Sequence, residues 1–81
     1  MITLEEAFGK VLQQQRKARN LSQKLLASET GLDRTFISLL ERGKRRPTIN
    51  TLFQLAYILG VKPAELITEV DKYFNERCPP I

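Results

Sequence analysis

The 81-residue sequence has no histidine and a single cysteine, Cys78. The first absence removes the commonest general base and metal ligand, and the second removes any internal disulfide and any cysteine-rich zinc site. A reducing cytoplasm is the expected compartment. Carboxylates are dispersed over surface helix positions, and no glycine loop of the phosphate-cradling kind occurs, so acid–base catalysis and nucleotide chemistry have no residues to work with. No enzyme activity, metal, cofactor or small-molecule ligand is expected. No apolar run approaches the ~20 residues that cross a bilayer, and no apolar stretch follows a basic N-terminus. A soluble, unexported chain without membrane contact is the expectation.

What is present is globular and basic. Hydrophobic residues make up 42% and charged residues 27%, far from the composition of disorder, and the length suits one small core. The formal charge of +4 is unevenly spread: from Lys10 to Arg46 there are ten basic residues against three acidic ones, whereas the flanks hold three basic and six acidic. A basic half carried on acidic ends is what a polyanion-binding face looks like in sequence; an unevenly solvated surface is the plainer alternative.

Strand patterns are scarce, and apolar residues recur at spacings of three and four, which predicts an all-α chain of five helices. Thr3 and Glu6 form a capping-box pattern ahead of Leu4, Ala7, Phe8, Val11 and Leu12, so a first helix should run to about Arg19, ended by Asn20. Ser22 caps a short second helix that stops at Gly31, Asp33 caps the third, and Gly43 closes it before the basic loop Lys44-Arg45-Arg46-Pro47. Thr48 caps a fourth, whose inward face is Ile49, Leu52, Leu55, Ala56 and Leu59, with Gly60 as its stop. Pro63 opens a fifth, predicted over residues 63–75. Residues 1–76 should form a single domain, and residues 77–81, with Cys78-Pro79-Pro80, a loose tail.

Residues 22–42 carry the most specific pattern. Ala27 is small where the second and third helices would cross, Gly31 supplies the turn between them, and Ile37 and Leu40 pin the third helix to a core. Its opposite face and first turn are left open, and an α-helix of that kind fits the major groove of B-DNA, where base edges display distinguishable donors and acceptors.

The run Leu21-Ser22-Gln23, Leu26-Ala27, Gly31-Leu32, Ile37-Ser38, Leu40-Glu41-Arg42-Gly43-Lys44, Pro47-Thr48, Leu55-Ala56 and Leu59-Gly60-Val61 resembles the lambda-repressor-like, Cro/C1-type helix-turn-helix regulators (XRE family) over most of the chain. Leu32 to Ser38 looks particularly like the controller proteins of restriction-modification systems. Thr30 and Leu25 depart from the pattern, where the family usually has an apolar and an acidic residue. The resemblance implies a compact five-helix domain, a transcriptional regulator, often a repressor, working on the nucleoid, and an ion pair between Arg16 and Glu41 that ties the first helix to the third.

Four residues are candidate base readers. Arg34, in the first turn of the third helix, can present a bidentate pair to guanine O6 and N7, its alternative being a local pairing with Asp33 or Ser38. Thr35 offers a methyl and a hydroxyl. Ser38 and Leu39 lie one turn on, and the resemblance implies a base-contacting position at Leu39, where leucine can offer only apolar contact. Ser22 and Gln23 at the start of the second helix form one candidate phosphate clamp. Arg42, Lys44, Arg45 and Arg46 with Thr48, Asn50 and Thr51 form another, the alternative being a solvated loop. Phe36 is expected to pack beside the core-facing Ile37, its alternative being a wedge that intercalates between bases.

The fifth helix carries Leu66, Ile67, Val70, Tyr73 and Phe74. Two readings compete: these residues complete the core, or they form a two-fold homodimer interface, with Tyr57 as a contributor, that sets two reading helices on one palindromic operator. The resemblance favours the dimer and makes RNA polymerase a further candidate partner. The rival function is a protein-interaction module on the same fold, which has no need of cations around its third helix; a membrane-surface helix is weaker still, because the basic residues are spread over several helices.

Overall fold

The computed structural model describes residues 1–77, and five helices and no strand occur among them. They are α1 (Leu4–Ala18), α2 (Gln23–Thr30), α3 (Arg34–Glu41), α4 (Ile49–Leu59) and α5 (Pro63–Arg77). The fifth runs two residues beyond its expected end, so Arg77 belongs to a helix and not to a tail; the rest of the expected tail, residues 78–81, lies outside the described residues.

Each of the first four helices starts on the cap its sequence provides. Thr3 and Glu6 close a reciprocal capping box, the Thr3 N–H donating to Glu6 Oε1 at 2.8 Å and the Glu6 N–H to Thr3 Oγ1 at 3.0 Å. Ser22 Oγ accepts from the Leu25 N–H at 3.0 Å, Asp33 Oδ1 from Thr35 at 2.7 Å and Thr48 Oγ1 from Thr51 at 3.1 Å. Each cap satisfies a backbone donor that the helix cannot, an effect of about 1 kcal/mol. Gly31 ends α2 with φ of 74°, a left-handed conformation in which any side chain would be strained. Thr30 is tolerated just before it because its hydroxyl donates back to the Leu26 carbonyl at 2.7 Å.

The helices enclose one core. Phe8, Val11 and Leu12 of α1 meet Leu26 of α2, Ile37 and Leu40 of α3, Leu55 and Leu59 of α4, and Leu66 and Val70 of α5. Helix α1 packs on α3 and α5, and α2 packs on α3 and α4. A side chain at Gly9 would overlap the carbonyl oxygens of Leu40 and Glu41. Glycine there lets α1 ride directly on the end of α3, which fixes how α3 is presented.

Two expectations fail on the core side. Ile49, expected to face inward, is 71% exposed: it occupies the first turn of α4, at the edge of the buried arc, where a groove leaves it uncovered. Leu66 and Val70, offered for a dimer interface, are 1% and 5% exposed and complete the core of the protomer.

Candidate nucleic-acid interface

Helix α3 is held from behind. Its inward side carries Ile37, Leu40 and the carboxylate of Glu41, all buried. Glu41 receives Arg16 Nε at 2.6 Å and Nη2 at 3.0 Å, and the third arm of the guanidinium donates to the Leu21 carbonyl at 2.8 Å. The expected pair of Arg16 and Glu41 is therefore present, and it is bidentate.

The outward side is the open one. Arg34 and Thr35 are exposed in the first turn, and Ser38 and Leu39 are half-buried one turn on. Asp33 Oδ1 accepts the Thr35 N–H, and the local ion pair considered for Arg34 is not present: the Arg34 side chain has no hydrogen bond or ion pair among the described residues. A helix N-terminus with its partial positive charge and an unengaged guanidinium in its first turn is a favourable place for an anion and a donor-rich groove contact. Phe36 is half-buried against the core, as expected.

The candidate phosphate contacts divide. Lys44 and Arg45 are exposed in the loop after α3, and Asn50 is exposed in the first turn of α4. Arg42 is exposed and its Nε lies 3.4 Å from the Ser38 carbonyl. Arg46 is exposed but its Nε is bonded to Glu5 Oε2 at 2.7 Å, so a phosphate must compete with that carboxylate. Gln23 donates its amide to Glu41 Oε1 at 2.9 Å, which makes that amide nitrogen part of the joint behind α3. Ser22 and Thr48 are exposed caps. Thr51 is a correction: it is 8% exposed and its hydroxyl bonds to Thr48 at 3.0 Å, so it sits under the clamp as support and offers no surface to a phosphate.

The residues expected at a dimer interface are split as well. With Leu66 and Val70 in the core, Ile67 remains 47% exposed and joins Phe74, Leu4, Phe8, Ile49 and Leu52 in an apolar groove between α1, α4 and α5. Tyr73 is half-buried under the Arg77 guanidinium, 3.5 Å from its ring centre. A second exposed apolar feature runs along α4, where Ile49, Phe53 and Tyr57 are 71%, 56% and 77% exposed. Their spacing of four puts them in one stripe. Of the three, the sequence points only to Tyr57 as an interface residue; Ile49 is expected inward, and Phe53 carries no signal of its own because neighbouring stripes on an apolar helix share the same spacing of four. The Arg46–Glu5 contact had no sequence signal, since 41 positions separate the partners.

Among the described residues no cluster of His, Cys, Asp or Glu is arranged to hold a metal, and no helix is long and apolar enough to cross a membrane.

A helix-turn-helix family model (HTH_3) matches residues 12–66. An uncharacterized HTH-type transcriptional regulator, y4dJ, of Sinorhizobium fredii (strain NBRC 101917 / NGR234) is 40% identical over 57 residues, 70% of this chain and 74% of that protein. The restriction-modification controller protein C.AhdI from Aeromonas hydrophila superimposes with a TM-score of 0.74 at 39% identity, covering 76% of this chain and 94% of that one. The controller protein C.Esp1396I, solved as a tetramer in complex with its natural 35-base-pair operator, gives a TM-score of 0.80 at 29% identity over 90% of this chain and 96% of that one. These relatives are named as a transcriptional regulator and as restriction-modification controller proteins. With its pinned third helix and short glycine turn, the chain belongs to the XRE-type helix-turn-helix family, among whose members are the restriction-modification control proteins.

Proposed function

We propose that this chain is a sequence-specific, double-stranded-DNA-binding transcriptional regulator that reads the major groove with α3, as a homodimer on a palindromic operator. The observation that carries it is Arg34: a solvent-facing guanidinium with no internal partner, in the first turn of a helix whose other side is locked to the core. Arg34, Thr35, Ser38 and Leu39 face the bases. Lys44, Arg45 and Asn50, with Arg42, and Arg46 once it leaves Glu5, take the phosphates on one side of the groove, and the Ser22 end of α2 takes them on the other. A protein-interaction module would leave such a guanidinium unexplained. The second protomer docks on the exposed stripe Ile49, Phe53 and Tyr57 with Ile67 beside it, in place of the interface first expected on α5. Restriction-modification genes are the first operators to try, because the controller relatives act in such systems. The site of action is the cytoplasm, where promoter-bound RNA polymerase is the further partner.

Selection from a random duplex pool, followed by salt titration against the winning sequence, tests this. A two-fold-symmetric consensus and an affinity that falls steeply with log salt are expected. An unenriched pool would overturn the proposal. Arg34→Ala should cost about 1–3 kcal/mol and relax preference at one base pair in each half-site, whereas Arg45→Ala should weaken all sequences alike and reduce the salt slope by about one.

A further inference from the structure

Helix α3 contains three large aliphatic residues, and two of them, Ile37 and Leu40, are fully buried. The third, Leu39, belongs neither to the core nor to the shell of apolar side chains packed on it. At about 100° per residue, Leu39 points away from Ile37, Leu40 and Glu41, on the same outward arc as Thr35 one turn earlier. It is half-buried, and its carbonyl accepts the Lys44 N–H at 2.9 Å, so it is partly dehydrated and its backbone is fixed before any partner arrives.

We propose that Leu39 is a methyl reader: it seats the 5-methyl group of a pyrimidine in the major groove, that of thymine in ordinary DNA and that of 5-methylcytosine in modified DNA. This rests on the reading of α3 as the groove helix. The major-groove edges of the bases carry donors, acceptors and one apolar feature, the thymine methyl. Leucine has no donor or acceptor to offer, so a polar base edge beneath it would lose water with nothing in exchange. A methyl group gains from the same burial. Leucine is also blind to what distinguishes thymine from 5-methylcytosine, the O4 acceptor against the N4 donor. The regulator is therefore sensitive to cytosine methylation at that one position of each half-site, in the direction of tighter binding.

The selected operator allows a clean test, in which each thymine is replaced in turn by uracil, deleting the methyl and nothing else. At one position per half-site the loss should be about fourfold, and about fifteenfold when both half-sites are changed, as expected for burial of one carbon group each. At that position a 5-methylcytosine·guanine pair should bind better than a cytosine·guanine pair by the same factor. In Leu39→Ala, with unchanged helicity by circular dichroism, both differences should vanish; in Thr35→Ser, which keeps the hydroxyl and removes the competing methyl, both should persist. The proposal is overturned if no uracil substitution weakens binding, or if the loss survives Leu39→Ala or follows Thr35→Ser instead. Failure to obtain any operator would count against the DNA-binding reading itself, a result separate from these.

Discussion

A guanidinium and a carboxylate meet out of water at the joint between α1 and α3, the Arg16 and Glu41 side chains being 10% and 2% exposed. Such a pair repays its desolvation only when its hydrogen bonds are complete. Here Arg16 donates from three nitrogens, to both Glu41 oxygens and the Leu21 carbonyl, and Gln23 adds a further donor to Glu41. Removing one partner strands the other, so Glu41→Ala should lower unfolding free energy by about 3–5 kcal/mol. The double change Arg16→Met with Glu41→Leu should recover most of that loss, since two apolar side chains of similar volume need no partners. Urea denaturation of the two variants beside the unaltered protein checks both statements. A single-variant loss under 1 kcal/mol would mean that the pair is hydrated in solution and that α3 is aimed by its apolar contacts alone. The exposed Arg46–Glu5 bond is a different case: one partner is 85% exposed, and such a pair contributes about 0–1 kcal/mol, small enough for a phosphate to displace the carboxylate.

At the level of the element, helix starts decide where this fold bends, and α1 shows how a start can be titrated. The Thr3 backbone N–H first, and its hydroxyl next, hold the Glu6 carboxyl below its ordinary value of 4.5, with Lys44 adding a smaller pull. A depressed carboxylate stabilises the fold fully above its unfolded value, and that contribution fades as pH falls through the folded value. In an NMR titration Glu6 should therefore ionise at lower pH than a glutamate without such contacts, and Thr3→Ala, which removes the hydroxyl but keeps the backbone N–H, should bring it only part of the way back toward 4.5; a Glu6 that ionises at or above that value in the unaltered protein would sink the capping account. Caps of this kind are local, and for that reason Thr3, Ser22, Asp33 and Thr48 could be identified from spacing alone, along with the glycine stops and the buried faces of α2 and α3. Side-chain destinations that depend on another element could not. Gln23 and Thr51 look like surface amide and hydroxyl in any linear reading, and only the packing of α2 on α3 and the turn at Thr48 draw them inward. Leu66 and Val70 are apolar positions on an amphipathic helix, and periodicity does not tell whether their partner is α1 of the same chain or a second protomer.

Across the whole molecule, charge and apolar surface are segregated in a way that bears on assembly. The loop after α3 is basic, while α5 carries Glu65, Glu69, Asp71 and Glu76 on exposed positions, so a polyanion orients the protomer with α3 toward it before any contact forms. The stripe Ile49, Phe53 and Tyr57 is the surface on which a two-fold partner would sit, because an isologous interface needs one patch that complements itself. A standard interface covers ~800 Å² per partner, against a total accessible surface of 5414 Å². Phe53→Glu with Tyr57→Glu places four carboxylates in that contact across two protomers and touches nothing in the core, so the thermal midpoint of the protomer should hold. Sedimentation equilibrium should then report a monomer, and affinity for a full operator should fall by about 10²–10⁴, the advantage lost when two half-sites are no longer engaged by one molecule. Affinity for an isolated half-site should change little. Leu66→Ala would not serve in place of this variant: it opens a cavity in the core at a cost of about 2–5 kcal/mol, and the resulting loss of binding would follow from unfolding. If the Phe53/Tyr57 double variant remains a dimer, the two-fold axis lies elsewhere, and the groove lined by Leu4, Ile67 and Phe74 is the surface to alter next.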